Sequence, residues 1–216
     1  MEKILKGTHI REELRDHLPY SFGSTLAGIG VLGIFSYLMG RAKTGVVFSD
    51  FSVVLFHFFH PLHVFFSATT AAAMFGRHER NFFKSIGVGV AGSVIPCVLS
   101  DILFPYVGGR LFGIPMVFHL DFVIHPFWMT LILFGGILTG SFISERVARS
   151  TLFSHSIHVF ISTMATLTYL TGFGPSGWAH YFLSILVIGI LSVILPCCFG
   201  DIVVPHLFTE KVHRHS

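Results

Sequence analysis

Six apolar stretches, each near the ~20 residues needed to cross a bilayer as a helix, leave this chain few ways to fold. They lie at roughly 20–40, 51–75, 82–104, 126–144, 151–172 and 180–205, with short charged segments between them. Only 12% of residues are Asp, Glu, Lys or Arg, about half the share of a typical soluble domain at ~25%. The 25 Phe and 22 Gly suit helices that meet lipid on one side and each other closely on the other. In hydrocarbon every backbone polar group must be satisfied internally, so such segments are helical. The sequence therefore predicts an all-α polytopic membrane protein with six transmembrane helices. Residues 1–19 read as an amphipathic segment at the cytoplasmic surface, ending at Asp16-His17-Leu18-Pro19. They hold no apolar core before a small-residue cleavage site, so no cleavable signal is expected. Gly23, Gly28, Gly30 and Gly33 in the first span invite close helix contact.

Two motifs inside these spans occur twice. His60-Pro61-Leu62-His63-Val64-Phe65-Phe66-Ser67 returns as His155-Ser156-Ile157-His158-Val159-Phe160-Ile161-Ser162, with five of eight positions identical. Pro96-Cys97-Val98-Leu99-Ser100-Asp101-Ile102-Leu103-Phe104-Pro105 returns as Pro196-Cys197-Cys198-Phe199-Gly200-Asp201-Ile202-Val203-Val204-Pro205, with five of ten. The shifts are 95 and 100 residues, which puts the five extra residues of the second copy in the Gly-rich loop at 172–177. A weaker match at a shift of 107 pairs Pro19 with Pro126, Gly28 with Gly135, Gly33 with Gly140 and Phe35 with Phe142. The expected organisation is a surface segment over 1–19, a three-helix repeat over 20–113, a second over 114–208 and a cytoplasmic tail over 209–216.

Three spans per repeat is an odd number, so the second copy must be inverted relative to the first. Loop charges agree. Eleven Lys and Arg lie at the amino terminus, in the loops near 76–84 and 145–150 and in the tail, against three (Arg41, Lys43, Arg110) in the alternate loops. By the positive-inside rule both termini are cytoplasmic. An inverted 3+3 repeat is an architecture of several secondary transporters. The expected location is an integral membrane, the cell membrane in a prokaryote.

The chemistry carried by the repeat is that of metal ligands. His57, His60 and His63 are spaced by three and lie along one helix stripe in steps of about 60°. Cys97 and Asp101, spaced by four, share a face of the third span. Convergence of these faces would gather imidazoles, a thiol and a carboxylate, a set suited to zinc, iron, manganese, cobalt or nickel. Pro61 and Pro96 would free backbone carbonyls beside them. His119, Asp121 and His125, in the connector before the fourth span, extend the set toward the outer face. In the inverted half, His155, His158, Cys197 and Asp201 are expected toward the cytoplasmic face, near Asp16, His17 and His206. These twelve ligand candidates form two clusters, one toward each side.

The function expected is a secondary transporter or channel for a divalent metal ion, with proton coupling through the histidines because ligands must be deprotonated to bind. One alternative is a di-haem redox protein with a His pair toward each face. Another is a scaffold in which Asp–His hydrogen bonds fix helix packing and Cys97 and Cys197 are small packing residues. A di-iron enzyme needs its histidines on one side, so enzymatic chemistry is the weaker expectation. Thr69, Thr70, Ser162, Thr163 and Thr166 either line a polar path or bond back to their own helix. His78, His180, His213 and His215 read as helix partners, and Trp128 and Trp178 as interface anchors. Three cysteines inside apolar segments do not describe a disulfide framework. A net charge of +3 confined to loops points away from nucleic acid, and no phosphate-binding Gly loop is present. The expected partners are the bilayer, a metal ion and protons, with a homo-oligomer compatible.

Overall fold

The computed structural model describes residues 2–42, 47–78, 81–143, 151–175 and 178–198, and every regular element among them is helical. Helix α1 spans Glu2–Ala42, α2 Phe48–His78 and α3 Phe82–Val98. A π-helical segment, Leu99–Leu103, leads directly into α4, Phe104–Leu111. A single turn, α5, covers Asp121–Ile124, followed by α6, Pro126–Ile143, and α7, Thr151–Gly172. A short 3-10 turn, Trp178–Tyr181, opens α8, Phe182–Cys198. Each expected span is helical over the residues described, the sixth as far as Cys198, and the surface segment and first span form one continuous helix through Pro19.

Among the described residues, four stretches are long and apolar enough to cross a membrane: Phe22–Arg41, Phe48–Gly76, Phe83–Leu111 and Pro126–Ile143. The expected count of six is narrower on this measure, for two reasons. The last apolar stretch is described with its side chains continuously only over Trp178–Ile194, although its helix runs on to Cys198. Helix α7 carries Thr163, Thr166, Thr168 and Thr171 among its apolar residues, and positions 161–171 are buried without exception. A helix enclosed by protein need not be apolar all round. Thr163, Thr168 and Thr171 donate to Val159, Met164 and Leu167 carbonyls at 2.8, 2.6 and 2.9 Å, which hides their hydroxyls within the helix.

The distribution of polarity is that of a membrane protein. Phe142 is 86% exposed, Leu183 69% and Ile34 62%, whereas His60, Asp101, Ser162 and Thr166 are fully buried. Water would penalise such a surface at about 25 cal/mol per Å² of apolar area, and lipid does not.

Helix α2 sits at the centre, packed against α3, α6 and α7. Its contact with α6 is made by glycines. A Cβ at Gly136 would strike the Phe65 carbonyl, and one at Gly140 the Thr69 carbonyl. Of the first-span glycines, Gly28 meets Leu167, Met164 and Thr163 of α7, while Gly23 and Gly30 have nothing within 4 Å.

The π segment follows from two prolines. Pro96 has no N–H to bond the Gly92 carbonyl four residues back, and Ser67 Oγ of α2 donates to that carbonyl at 3.4 Å. Phe104 N–H reaches Leu99 O, the five-residue spacing of a π turn. The next such bond would need an N–H on Pro105, so the Ser100 carbonyl is left for Thr166 Oγ1 of α7, which donates at 3.0 Å. Both carbonyls left without helical partners are thus held by neighbouring helices. Helix α4 ends at Leu111 and the chain turns at Gly113, whose φ of +73° permits the paired bonds Ile114 N–H to Gly109 O (2.8 Å) and Gly113 N–H to Arg110 O (3.2 Å).

Candidate metal site

The connector after Gly113 is tied to the end of α7. Val117 N–H donates to Phe173 O at 2.9 Å. Tyr169 OH donates to Val117 O and accepts from His119 N–H, each at 3.2 Å. The His119 ring also stacks on Phe173, with centroids 4.4 Å apart. This clamp sets His119 over His57. Tyr169 was not singled out by the sequence, and its signal there was slight: one phenol among the threonines of an otherwise apolar span.

Around that clamp four polar side chains gather. His119 Nε2 lies 2.9 Å from Asp121 Oδ1 and 3.1 Å from His57 Nε2, which is itself 3.3 Å from Asp121 Oδ1. The ligand atoms of His57, Asp121 and His125 all fall within 4.8 Å of one another. The tautomer of His57 follows from its other nitrogen. Nδ1 is 2.8 Å from the Val53 carbonyl, which can only accept, so Nδ1 carries the hydrogen and the neutral ring presents a lone pair at Nε2. That lone pair faces carboxylate oxygens. Asp121 is 1% exposed, and its Oδ2 is buried with no hydrogen-bond partner among the described residues. A hydrogen on His119 Nε2, which is within reach of both, offsets part of the repulsion between these lone pairs, and a cation among them would offset the rest. The group opens on a cleft of about 960 Å³ between α2 and α6, walled by apolar side chains such as Phe58, Leu62 and Met129, with Trp128 on its rim.

One turn further along α2 is a second group, buried throughout. His60 Nδ1 and His63 Nδ1 approach the same oxygen, Asp101 Oδ2, at 2.8 and 2.7 Å. Asp101 Oδ1 accepts from Ser100 Oγ at 2.6 Å and from Ser162 Oγ at 3.3 Å. His63 Nε2 then meets His158 Nε2 at 3.1 Å. His60 stacks on Phe56, centroids 5.2 Å apart, and its Nε2 has no hydrogen-bond partner among the described residues. Cys97 is buried beside His63 and Ser67.

The twelve candidates therefore divide differently from the stripe expected on α2. His57, His119, Asp121 and His125 form one set; His60, His63, Cys97, Asp101 and His158 form the other. His158 was expected with the opposite cluster and instead touches His63, because α2 and α7 pack against each other along their lengths. Asp201 lies outside the described residues, as do His206 and the side chains of His155, Cys197, Asp16 and His17. The carbonyl freed by Pro96 is taken by Ser67, leaving it unavailable to a metal. Thr69 bonds back to Phe65 O at 2.8 Å and across to Gly136 O at 3.1 Å, while Thr166 and Ser162 both reach the π segment. Trp178 donates to Ser36 Oγ at 3.4 Å and packs on Phe48.

Fold and site together define an apolar, all-helical membrane protein with a His/Asp group of metal-binding composition. No family model, curated protein or solved structure matches the chain.

Proposed function

We propose that the protein is a secondary carrier or channel for a divalent metal ion, bound by His57, Asp121 and His125 with His119 supporting Asp121. The observation that carries this reading is the convergence of His57, Asp121 and His125, whose ligand atoms lie within 4.8 Å of one another, on a buried carboxylate whose Oδ2 has no hydrogen-bond partner among the described residues. Two imidazoles and a carboxylate suit zinc, cobalt, nickel, iron or manganese more than calcium or magnesium, which prefer all-oxygen shells. An ionisable cluster at the head of a cleft inside a bilayer protein is by default a site of passage or binding.

The inverted 3+3 repeat belongs to this proposal, and side-chain packing supports it. His63 and His158, equivalent under the 95-residue shift, contact one another. Gly28 of α1 meets Thr163, Met164 and Leu167 of α7. The same shift turns those three into Ala68, Thr69 and Ala72 of α2, which Gly136 and Gly140 of α6 meet. With the loop charges, this layout has both termini in the cytoplasm.

The His pairs do not suit haem. In both pairs the facing Nε2 atoms are 3.1 Å apart, in direct contact where a macrocycle would have to pass between them. The test of the carrier reading is flux. Proteoliposomes holding a metal-sensitive dye should respond to at least one of Zn²⁺, Mn²⁺, Fe²⁺, Co²⁺ or Ni²⁺, and liposomes with His57→Ala should not. No response above protein-free vesicles for any of the five overturns it.

A further inference from the structure

We infer that the buried chain His60–Asp101–His63–His158 conducts protons and couples metal movement at the neighbouring group to proton countermovement. The inference rests on the carrier reading above and names its coupling ion.

The geometry separates a proton path from a chelate. Nδ1 and Nε2 lie on opposite edges of an imidazole. Because both Nδ1 atoms point at one oxygen, the two Nε2 atoms are directed away from it, toward opposite ends of the chain. They do not converge on a common point as metal ligands must. The carboxylate is also fully engaged, with two imidazoles on Oδ2 and two hydroxyls on Oδ1. A dication entering here would have to break these bonds, whereas a proton moves through them.

The chain has two ends. One is His60 Nε2, fully buried and without a hydrogen-bond partner among the described residues, one helical turn from His57 of the metal group. The other is His158 on α7. A proton reaching His60 Nε2 makes that ring an imidazolium. Its Nδ1 proton then passes to Asp101 Oδ2, and the ring is left neutral with its hydrogen on Nε2. From the other end, a proton reaching His158 Nδ1 releases the Nε2 hydrogen to His63 Nε2, and His63 gives its Nδ1 proton to the same oxygen. Two arms thus serve one carboxylate, both through imidazoles of α2, and the second reaches His158 in the other half of the chain. Among the described residues, the other titratable side chain facing the group is Cys97 on α3. Helix α6, and α8 from Phe182 to Pro196, carry none.

The experiment is a paired flux measurement on the full chain in proteoliposomes, with a metal dye and a pH dye inside. In the wild type a Co²⁺ or Zn²⁺ gradient should drive protons outward as metal enters. Asp101→Asn should lower the proton-to-metal ratio at least tenfold while Co²⁺ absorption at the His57 group is retained. His158→Gln, which cuts one arm and leaves the His60–Asp101–His63 bridge, gives the same readout should Asp101→Asn fail to fold. Wild-type metal flux without proton flux overturns the inference and leaves the carrier reading standing. Neither flux overturns both. A wild-type ratio in folded Asp101→Asn or His158→Gln also overturns it.

Discussion

The Val53 carbonyl determines what His57 can do. By holding the Nδ1 hydrogen at 2.8 Å it leaves Nε2 as a base, the arrangement in which a second contact orients a metal-binding imidazole. Replacing His57 with Ala should weaken Co²⁺ binding by tenfold or more, a loss of about 1.4 kcal/mol at the least, read by the cobalt absorption band during titration. Affinity should fall as pH is lowered, because the proton and the metal compete for the same lone pair. Tyr169 acts one step back, through His119. Tyr169→Phe removes both hydroxyl bonds to the connector and should cost roughly tenfold in affinity, as loss of outer contacts does at metal sites. The helical fraction in circular dichroism should not change.

At the scale of elements, the α3–π–α4 unit shows how two prolines are accommodated in a dry interior. Thr166→Val leaves the Ser100 carbonyl without its donor at equal side-chain volume. The expected cost is about 1 kcal/mol, near the upper range for interhelical hydrogen bonds in membranes, measured by thermal unfolding in detergent. Gly140→Leu should cost more, about 1–3 kcal/mol, because its side chain would enter the Thr69 backbone, whereas Gly30→Ala meets nothing and should be neutral. The sequence distinguishes these two glycines only through the repeat. It places the six helices well, since apolar length is a strong signal. It also marks Pro96 as a site where a carbonyl is freed. It does not reveal the π turn, whose existence depends on where the hydroxyls of Ser67 and Thr166 arrive from other helices. Nor does it show that α7 is enclosed, which depends on packing and makes its threonines harmless. For the site, the meeting of His60 and His63 with Cys97 and Asp101 was legible from spacing, whereas the separation of His57 and the placing of His158 were not. Spacing by three puts His57, His60 and His63 on one stripe, and only the connector held by Tyr169 assigns the first to one set and the other two to another.

On the inverted-repeat reading, the whole molecule duplicates one of its two polar groups and not the other. The first-half residues of the buried chain have counterparts 95 or 100 positions on: His155 for His60, His158 for His63 and Asp201 for Asp101. The metal group does not, since the position matching His57 is Leu152. A carrier with a symmetric proton path and a single metal group should therefore bind one metal per chain, not two. Elemental analysis of Co²⁺-loaded, washed protein checks this directly. One equivalent, lost in Asp121→Asn and retained in Asp101→Asn, is the expected result. Two equivalents of similar affinity would mean that the second half builds a metal site of its own. Passage would then proceed between two equivalent sites, not past a single one linked to protons.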